Sequence, residues 1–203
     1  MSPAQPDGQD PKSDLRFYLR MARTAVVWKL EGLSEYDIRR PLVPSGTNLL
    51  GLVKHLAGME LGYLGEPFGR RFPEPLPWFE HGARPNADLW AAADETREAI
   101  LGLYRRANEH CDVTIDNFPL DATVTIPWWG PDGSSTTLHR LLIHVIAETS
   151  RHAGHADLVR ELIDGGIGLH PRNSNIWGQD DLPSHRARVE AAAREAAGRL
   201  PDP

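Results

Sequence analysis

Cysteine is almost absent from this sequence. The 203 residues include only Cys111, so no disulfide can form within the chain. Zinc sites built from several thiolates and redox motifs of the CxxC type are excluded for the same reason. No run of about 18 apolar residues occurs, so a membrane-spanning helix is not expected. The N-terminal stretch is polar, rich in proline and without an apolar signal core, so we expect a cytoplasmic protein.

Lysine is also scarce, and the charge balance is mildly acidic, with a formal net charge of −6. Phosphate binding needs a clustered excess of Lys and Arg, so nucleic acid is not expected as a partner. Near the C-terminus, Arg186, Arg188 and Arg194 are interleaved with Glu190 and Glu195. This mixture is typical of a solvated helix face. Hydrophobic residues make up 40% and charged residues 25%, which argues against wholesale disorder.

The spacing of apolar residues predicts an all-α fold. Apolar positions recur every three or four residues over four long segments, without the strand-helix alternation of an α/β protein. We therefore expect a four-helix bundle with long connections, which often cover a site. The predicted helices run from Ser13 or Asp14 to about Gly32, from Ser45–Asn48 to about Gly65, over Ala87–Cys111 with Asn86 as the cap, and from Thr136 or Thr137 to Asp164.

The remaining segments complete the predicted organisation. Residues 113–118 and 122–128 are expected to be locally extended, the latter as a short strand or hairpin. An extra C-terminal helix is predicted over about His185–Arg199. Residues 1–12 and 200–203 are predicted tails around one domain that spans residues 13–199. Exposed apolar faces of the first or last helix could pair two copies in a homodimer.

The second predicted helix contains four glycines, Gly51, Gly58, Gly62 and Gly65. Each costs about 1 kcal/mol relative to Ala in a helix interior. We therefore expect them where another helix or a ligand approaches the backbone closely.

Nine histidines offset the lack of cysteine, so a transition-metal site here must use imidazole and carboxylate ligands. His144, Glu148, His152 and His155 lie within about 80° of the circumference of the fourth helix. Glu148 and His152 are four residues apart, so their side chains can converge on one ion. The alternative interpretation is a solvated face carrying ion pairs.

His55 lies in the middle of the most apolar helix, where a buried imidazole needs polar partners. A backbone carbonyl or a hydroxyl could supply them. Together with Glu148 and His152, however, His55 would complete a set of three ligands from two helices. Three protein ligands with an open position are typical of a catalytic divalent-metal site. Zinc is the expected ion, and nickel, iron and manganese also accept these ligands.

The stretch HVIAETSRHAGHADLVRELIDG, preceded by PSGTNLLGLVKHLAGME, resembles the DinB/YfiT-like superfamily and its actinobacterial DUF664 branch. The resemblance covers roughly residues 14–198. It implies a four-helix bundle with a divalent-metal site, one ligand on the second helix and the others on the fourth. His55 matches the first ligand, Glu148 the middle one and His152 the last. Several members have His in the middle position, whereas the distant mycothiol-dependent maleylpyruvate isomerases have Glu.

The same comparison suggests roles for neighbouring residues. His144 matches a histidine that is not usually a ligand, although as a fourth ligand it would close the site and favour a structural role. His155 stands where Gln is common, and it could bind a ligand, act as an acid or base near the metal, or be a surface residue. Arg151 lies on nearly the same face and could bind a carboxylate or pair with a nearby Glu.

The resemblance implies an S-transferase or isomerase in which a metal-bound thiolate, from a small thiol such as mycothiol, attacks an electrophile. The abundance of arginine fits an actinobacterial source, where mycothiol is the thiol. Hydrolysis of a small amide or ester by metal-bound hydroxide is one alternative. A non-enzymatic metal-binding stress-response protein is another.

Tryptophans mark a candidate binding wall. Trp128 and Trp129 follow the predicted strand and offer a flat apolar surface with N–H donors for a thiol cofactor. They could equally plug the core. Trp78, Phe79 and Trp177 lie in loops and would line a pocket if those loops fold over the metal end.

Overall fold

The computed structural model describes residues 10–80, 82–171, 173–174 and 181–198. It divides the chain into two compact units, of which the first ends at Ile167 and the second begins at Gly168. The α-helices are α1 (Pro11–Trp28), α2 (Glu35–Arg39), α3 (Leu49–Leu64), α4 (Arg97–Asn117), α5 (Leu138–Asp164) and, in the second unit, α6 (Leu182–Ala197). The strands are β1 (Thr123–Ile126) and β2 (Ser134–Thr137).

The predicted all-α fold is confirmed, because the described residues are mainly helical and their sheet consists of two short strands. The extra C-terminal helix is present as α6. Among the described residues, no helix is both long and apolar enough to cross a membrane. The single domain over residues 13–199 stays a prediction.

Side-chain caps set the beginnings of the long helices. The Asn48 side chain accepts a hydrogen bond from the Gly51 N–H, and α3 begins at the next residue, as predicted. Thr137 caps α5 in the same way, and Gly165, with a φ of 78°, ends it. Helix α1 begins at Pro11, earlier than predicted, because the Asp10 carboxylate caps its first turn. Residues 1–9 of the predicted tail lie outside the described residues.

The boundaries predicted for the third helix were wrong. Helix α4 begins at Arg97 with Thr96 as its cap, while Asn86 adopts a φ of 62° in the preceding connection. The segment 113–118, expected to be extended, is helical as far as Asn117. Its Thr114 and Ile115 are fully buried, and tertiary burial of this kind overrides the weak strand preference of β-branched residues.

Two shorter elements refine the prediction. Strand β1 confirms the extended segment near residues 122–128, and it pairs antiparallel with β2, where Thr123 faces Thr137. Strand β2 makes this segment a hairpin, one of the two predicted alternatives, although Thr136 or Thr137 was expected to start a helix. Helix α2 lies in the connection that was expected to have no helix. The hairpin delivers the chain directly to the start of α5.

Helix α3 is central to the first unit, since it packs against both α4 and α5, while α1 packs against α5. Most of its residues are buried. The less buried ones are His55, Met59, Gly62 and Tyr63. Their spacing of three or four residues places them on a single stripe of the helix. The predicted grouping of the helices as one four-helix bundle stays a prediction.

A buried ion pair joins α1 to the middle of α3. The Arg23 guanidinium donates to the fully buried Glu60 carboxylate from Nε at 3.0 Å and from Nη2 at 2.5 Å. Its Nη1 donates to Asp112 Oδ1 on α4 at 2.8 Å. Burial raises the pKa of Glu60, and Arg23 opposes that rise. One guanidinium therefore ties three helices together.

We expect Arg23→Ala to lower the free energy of unfolding by about 3–5 kcal/mol, because it leaves the Glu60 charge buried without its partner. The matched control is Arg16→Ala, also on α1, which removes an exposed ion pair with Asp116 of α4 and should cost about 0–1 kcal/mol. Urea denaturation measures both. Equal losses would contradict a special role for the buried pair.

Candidate functional site

Three imidazoles from two helices lie next to one another. The ring centroids of His55 on α3 and His152 on α5 are 4.8 Å apart, with their planes at 70°. The rings of His152 and His155 are 5.3 Å apart, and their Nδ1 atoms approach to 3.4 Å. The packing of α3 against α5 thus brings together residues that are almost a hundred positions apart in the sequence.

Glu148 supplies a carboxylate to this cluster. Its Oε2 lies 3.8 Å from His152 Nε2, one helical turn away on α5. His152 therefore lies next to both of the other predicted ligands, His55 and Glu148. As the side chains stand, no group of three or more His, Cys, Asp or Glu residues in the described ranges is arranged to hold a metal ion. The donor set of two imidazoles and a carboxylate nevertheless fits a divalent ion in kind.

The protonation state of His152 suits such a role. Burial lowers its pKa to about 4, and nearby His55 and His155 act in the same direction. Glu148 opposes the shift. At neutral pH the ring is uncharged, which is the form of imidazole that binds metals.

Asp88 is a member of the site that sequence reasoning missed. Its Oδ2 lies 2.6 Å from Nδ1 of His55. The residue belongs to the connection between α3 and α4, which the sequence wrongly assigned to a helix. The sequence offered no signal beyond the presence of an acidic residue, because nothing in the local pattern relates Asp88 to a histidine on another segment.

A cavity of about 1000 Å³ opens beside His55. Its wall includes all of the less buried stripe of α3, together with Phe79 and Trp128. The connection between α3 and α4 also lines it, through Arg71 and several residues that follow. The predicted covering loop is therefore present next to one of the candidate ligands.

Two glycines let this connection rest on α3. A Cβ on Gly58 would overlap the ring of Phe79, and a Cβ on Gly51 would overlap the carbonyl group of Leu89. Gly62 leaves ordinary van der Waals space, with the nearest atom of Trp128 3.7 Å from its Cβ position. The expected close approach is confirmed for Gly51 and Gly58, although the neighbour is the connection rather than another helix.

The tandem tryptophans pack around one phenol. Trp128 and Trp129 both donate from Nε1 to the Tyr63 hydroxyl at 3.3 Å. His144 lies against Tyr63 and Trp129, with ring centroids 4.6 Å and 5.3 Å away. Trp128 is 55% exposed and lines the cavity. His144 is thus part of an aromatic cluster one turn before Glu148.

The remaining candidate residues differ in their surroundings. Arg151 is exposed, and within the described part of the chain it makes no hydrogen bond or ion pair. Trp78 lies away from the tryptophan pair, where Lys54 Nζ sits 4.4 Å from its ring centroid. Trp177 falls outside the described residues.

Comparison with known protein families identifies the chain. The family model described as mycothiol-S-transferase matches residues 14–165. The chain belongs to the mycothiol-S-transferase family. The predicted resemblance to the DinB-like superfamily and its DUF664 branch is thereby confirmed. No curated protein and no solved structure matches the chain significantly.

In this mycothiol-S-transferase family member, all the predicted ligands and His155 lie within the matched region. The sole cysteine lies there too, but it is not a reactive group. Cys111 is fully buried on α4, and burial raises the pKa of its thiol well above the usual value.

The low pKa of His152 predicts a pH dependence of stability in the metal-free protein. Between its ordinary value of about 6.5 and the folded value of about 4, only the unfolded chain binds the proton. The free energy of unfolding should therefore fall as the pH drops through this window. His152→Gln should flatten the slope there, whereas His139→Gln, at an exposed position, should not. Identical slopes in urea titrations of the two variants would contradict the assignment.

We expect Gly58→Ala to displace Phe79 from α3 and to destabilise the protein by about 1–3 kcal/mol, since the added methyl overlaps the ring. Gly62→Ala is the matched control. It should be neutral or stabilising by up to about 1 kcal/mol, because Ala is the better helix former. Chemical denaturation and the NMR shifts of Phe79 report both effects. Unchanged Phe79 shifts in Gly58→Ala would disprove the close packing.

Proposed function

We propose that this protein joins mycothiol through its sulfur to a small electrophile, forming a thioether, at the site between α3 and α5. A divalent metal, with zinc as the expected ion, would be held by His55, Glu148 and His152. The observation that carries the proposal is that His152 lies next to both His55 and Glu148 in a chain of the mycothiol-S-transferase family. The neutral state of His152 and the N/O donor set support a metal there.

When bound, the metal would lower the pKa of the thiol, so that the thiolate nucleophile is available near neutral pH. We assign the role of general base for the thiol proton to His155, whose ring centroid lies 5.3 Å from that of His152. A carbon–sulfur bond forms to the electrophile as a leaving group departs with its electron pair. The proton held on His155 then passes to solvent or to the leaving group.

The cavity beside His55 has the size for two small substrates side by side. Trp128 and Tyr63 present aromatic surface to it, and their mutual hydrogen bond keeps both rings in place. Trp129 also donates a hydrogen bond to the Tyr63 hydroxyl and so helps to hold its ring. Arg151, exposed on the same helix as the ligands, would attract an anionic group of a substrate. The aromatic surface of Tyr63 and Trp128 favours an apolar or aromatic electrophile as the acceptor.

Formation of a thioether from mycothiol is favoured over hydrolysis and over isomerisation. The family description names an S-transferase, and the buried Cys111 leaves the external thiol as the source of sulfur. Isomerisation would use the same thiolate but release it again from the product. Hydrolysis of an amide or ester would need no thiol, so assays with and without mycothiol separate it from transfer.

The test uses metal-loaded protein, mycothiol and monobromobimane, in which bromide leaves as the thioether forms. His55→Ala and His152→Ala should lose both bound metal and the rate above background, while His139→Ala, outside the site, should keep both. His155→Gln should keep the metal and lose rate by about 100-fold, as expected for loss of a general base. Absence of any thiol-dependent rate in the unmodified protein, or full activity of His55→Ala, would refute the proposal.

A further inference from the structure

We propose that Asp88 is a positioning residue, which fixes the tautomer of His55 so that its Nε2 is free to bind the metal. This inference rests on the proposed function. The Asp88 carboxylate is only 17% exposed and the His55 side chain 25%, so water competes weakly for their 2.6 Å contact. An ionised carboxylate only accepts hydrogen bonds, so Nδ1 of His55 must carry the proton. The lone pair of the ring is then on Nε2.

The two residues that follow Asp88 hold the backbone close to α3. The carbonyl of Leu89 accepts from Asn48 Nδ2 at 3.1 Å, and the carbonyl of Trp90 accepts from Lys54 Nζ at 3.1 Å. Gly51 permits the first contact, because any Cβ there would overlap the Leu89 carbonyl group. The hydrogen bonds to the Leu89 and Trp90 carbonyls therefore hold Asp88 beside His55.

A second acidic residue, Glu95, ties the same segment to α3. Lys54 is 4% exposed, and its ammonium also contacts the Glu95 carboxylate at 2.8 Å. Lys54 therefore has its own carboxylate partner, and Asp88 is left to His55. Lys54 and His55 are adjacent in α3, and each contacts one acidic residue of the connection. These two contacts fix the position of the segment along the helix.

The contribution of Asp88 would be to metal affinity. Carboxylates that orient a ligating histidine fix the ring and make it a better donor, and their loss costs about 10–100-fold in affinity. Without Asp88 the His55 ring would be free to rotate and to exchange tautomers. Asp88 touches the histidine and not the reacting atoms.

The experiment compares Asp88→Ala and the isosteric Asp88→Asn with Asp94→Ala, which removes an exposed acid from the same connection. The first measurement needs no metal. Nitrogen-15 NMR of histidine-labelled, metal-free protein at neutral pH reports the tautomer of His55, whose signals are assigned with His55→Gln. The second measurement is zinc affinity by competition with a chelating dye.

We expect the Nδ1–H tautomer in the unmodified protein and in Asp94→Ala, and a mixture of tautomers in Asp88→Ala. The zinc affinity of Asp88→Ala should fall about 10–100-fold relative to Asp94→Ala. Asp88→Asn can still accept through its amide oxygen but lacks the charge, so an intermediate affinity supports the proposal and also decides the case if Asp88→Ala does not fold.

An unchanged His55 tautomer in Asp88→Ala, or a zinc affinity equal to that of Asp94→Ala, would overturn the role of Asp88. The failure of the proposed function looks different. If the unmodified protein binds zinc no more tightly than His152→Ala, the metal site is refuted, whereas the tautomer measurement still decides whether Asp88 orients His55.

Discussion

The contact between His55 and His152 depends on the burial of α3, the helix that packs against both α4 and α5. Burial of nearly every side of α3 leaves one stripe of the helix to face the cavity. Because that stripe contains His55, the orientation of a hydrophobic helix decides where the imidazole points. The buried ion pair between Arg23 and Glu60 also ties the same helix to α1.

The connection between α3 and α4 is part of the site rather than a loop beside it. Phe79 packs against Gly58, and Leu89 packs against Gly51. Lys54 donates hydrogen bonds to the Trp90 carbonyl and the Glu95 carboxylate. These contacts build the cavity wall and bring Asp88 to His55. Glycines that weaken an isolated helix are retained here because they let backbone and ring approach it. The glycines lower the intrinsic stability of the helix, and they allow the connection to pack closely beside it.

Prediction from the sequence succeeded where the information was local. Asn48 and Thr137 marked the starts of α3 and α5, and the stripe of His152, His155 and Glu148 followed from helical periodicity alone. It failed where distant contacts decide. The segment around Thr114 is helical and buried. In the non-helical connection near Asp88, the carbonyls of Leu89 and Trp90 accept hydrogen bonds from Asn48, the cap of α3, and from Lys54. No residue pattern within either segment carries that information.

The sequence by itself determined the kinds of group available: one cysteine, many histidines, and a carboxylate one turn from an imidazole on an amphipathic helix. It also determined the family, since short motifs on two helices were sufficient. Only the tertiary structure decided which groups meet. The pairing of His55 with His152 and with Asp88, and the burial that keeps His152 neutral, arise from packing between segments far apart in the chain. Distance and desolvation are properties of the folded chain, so local spacing cannot encode them.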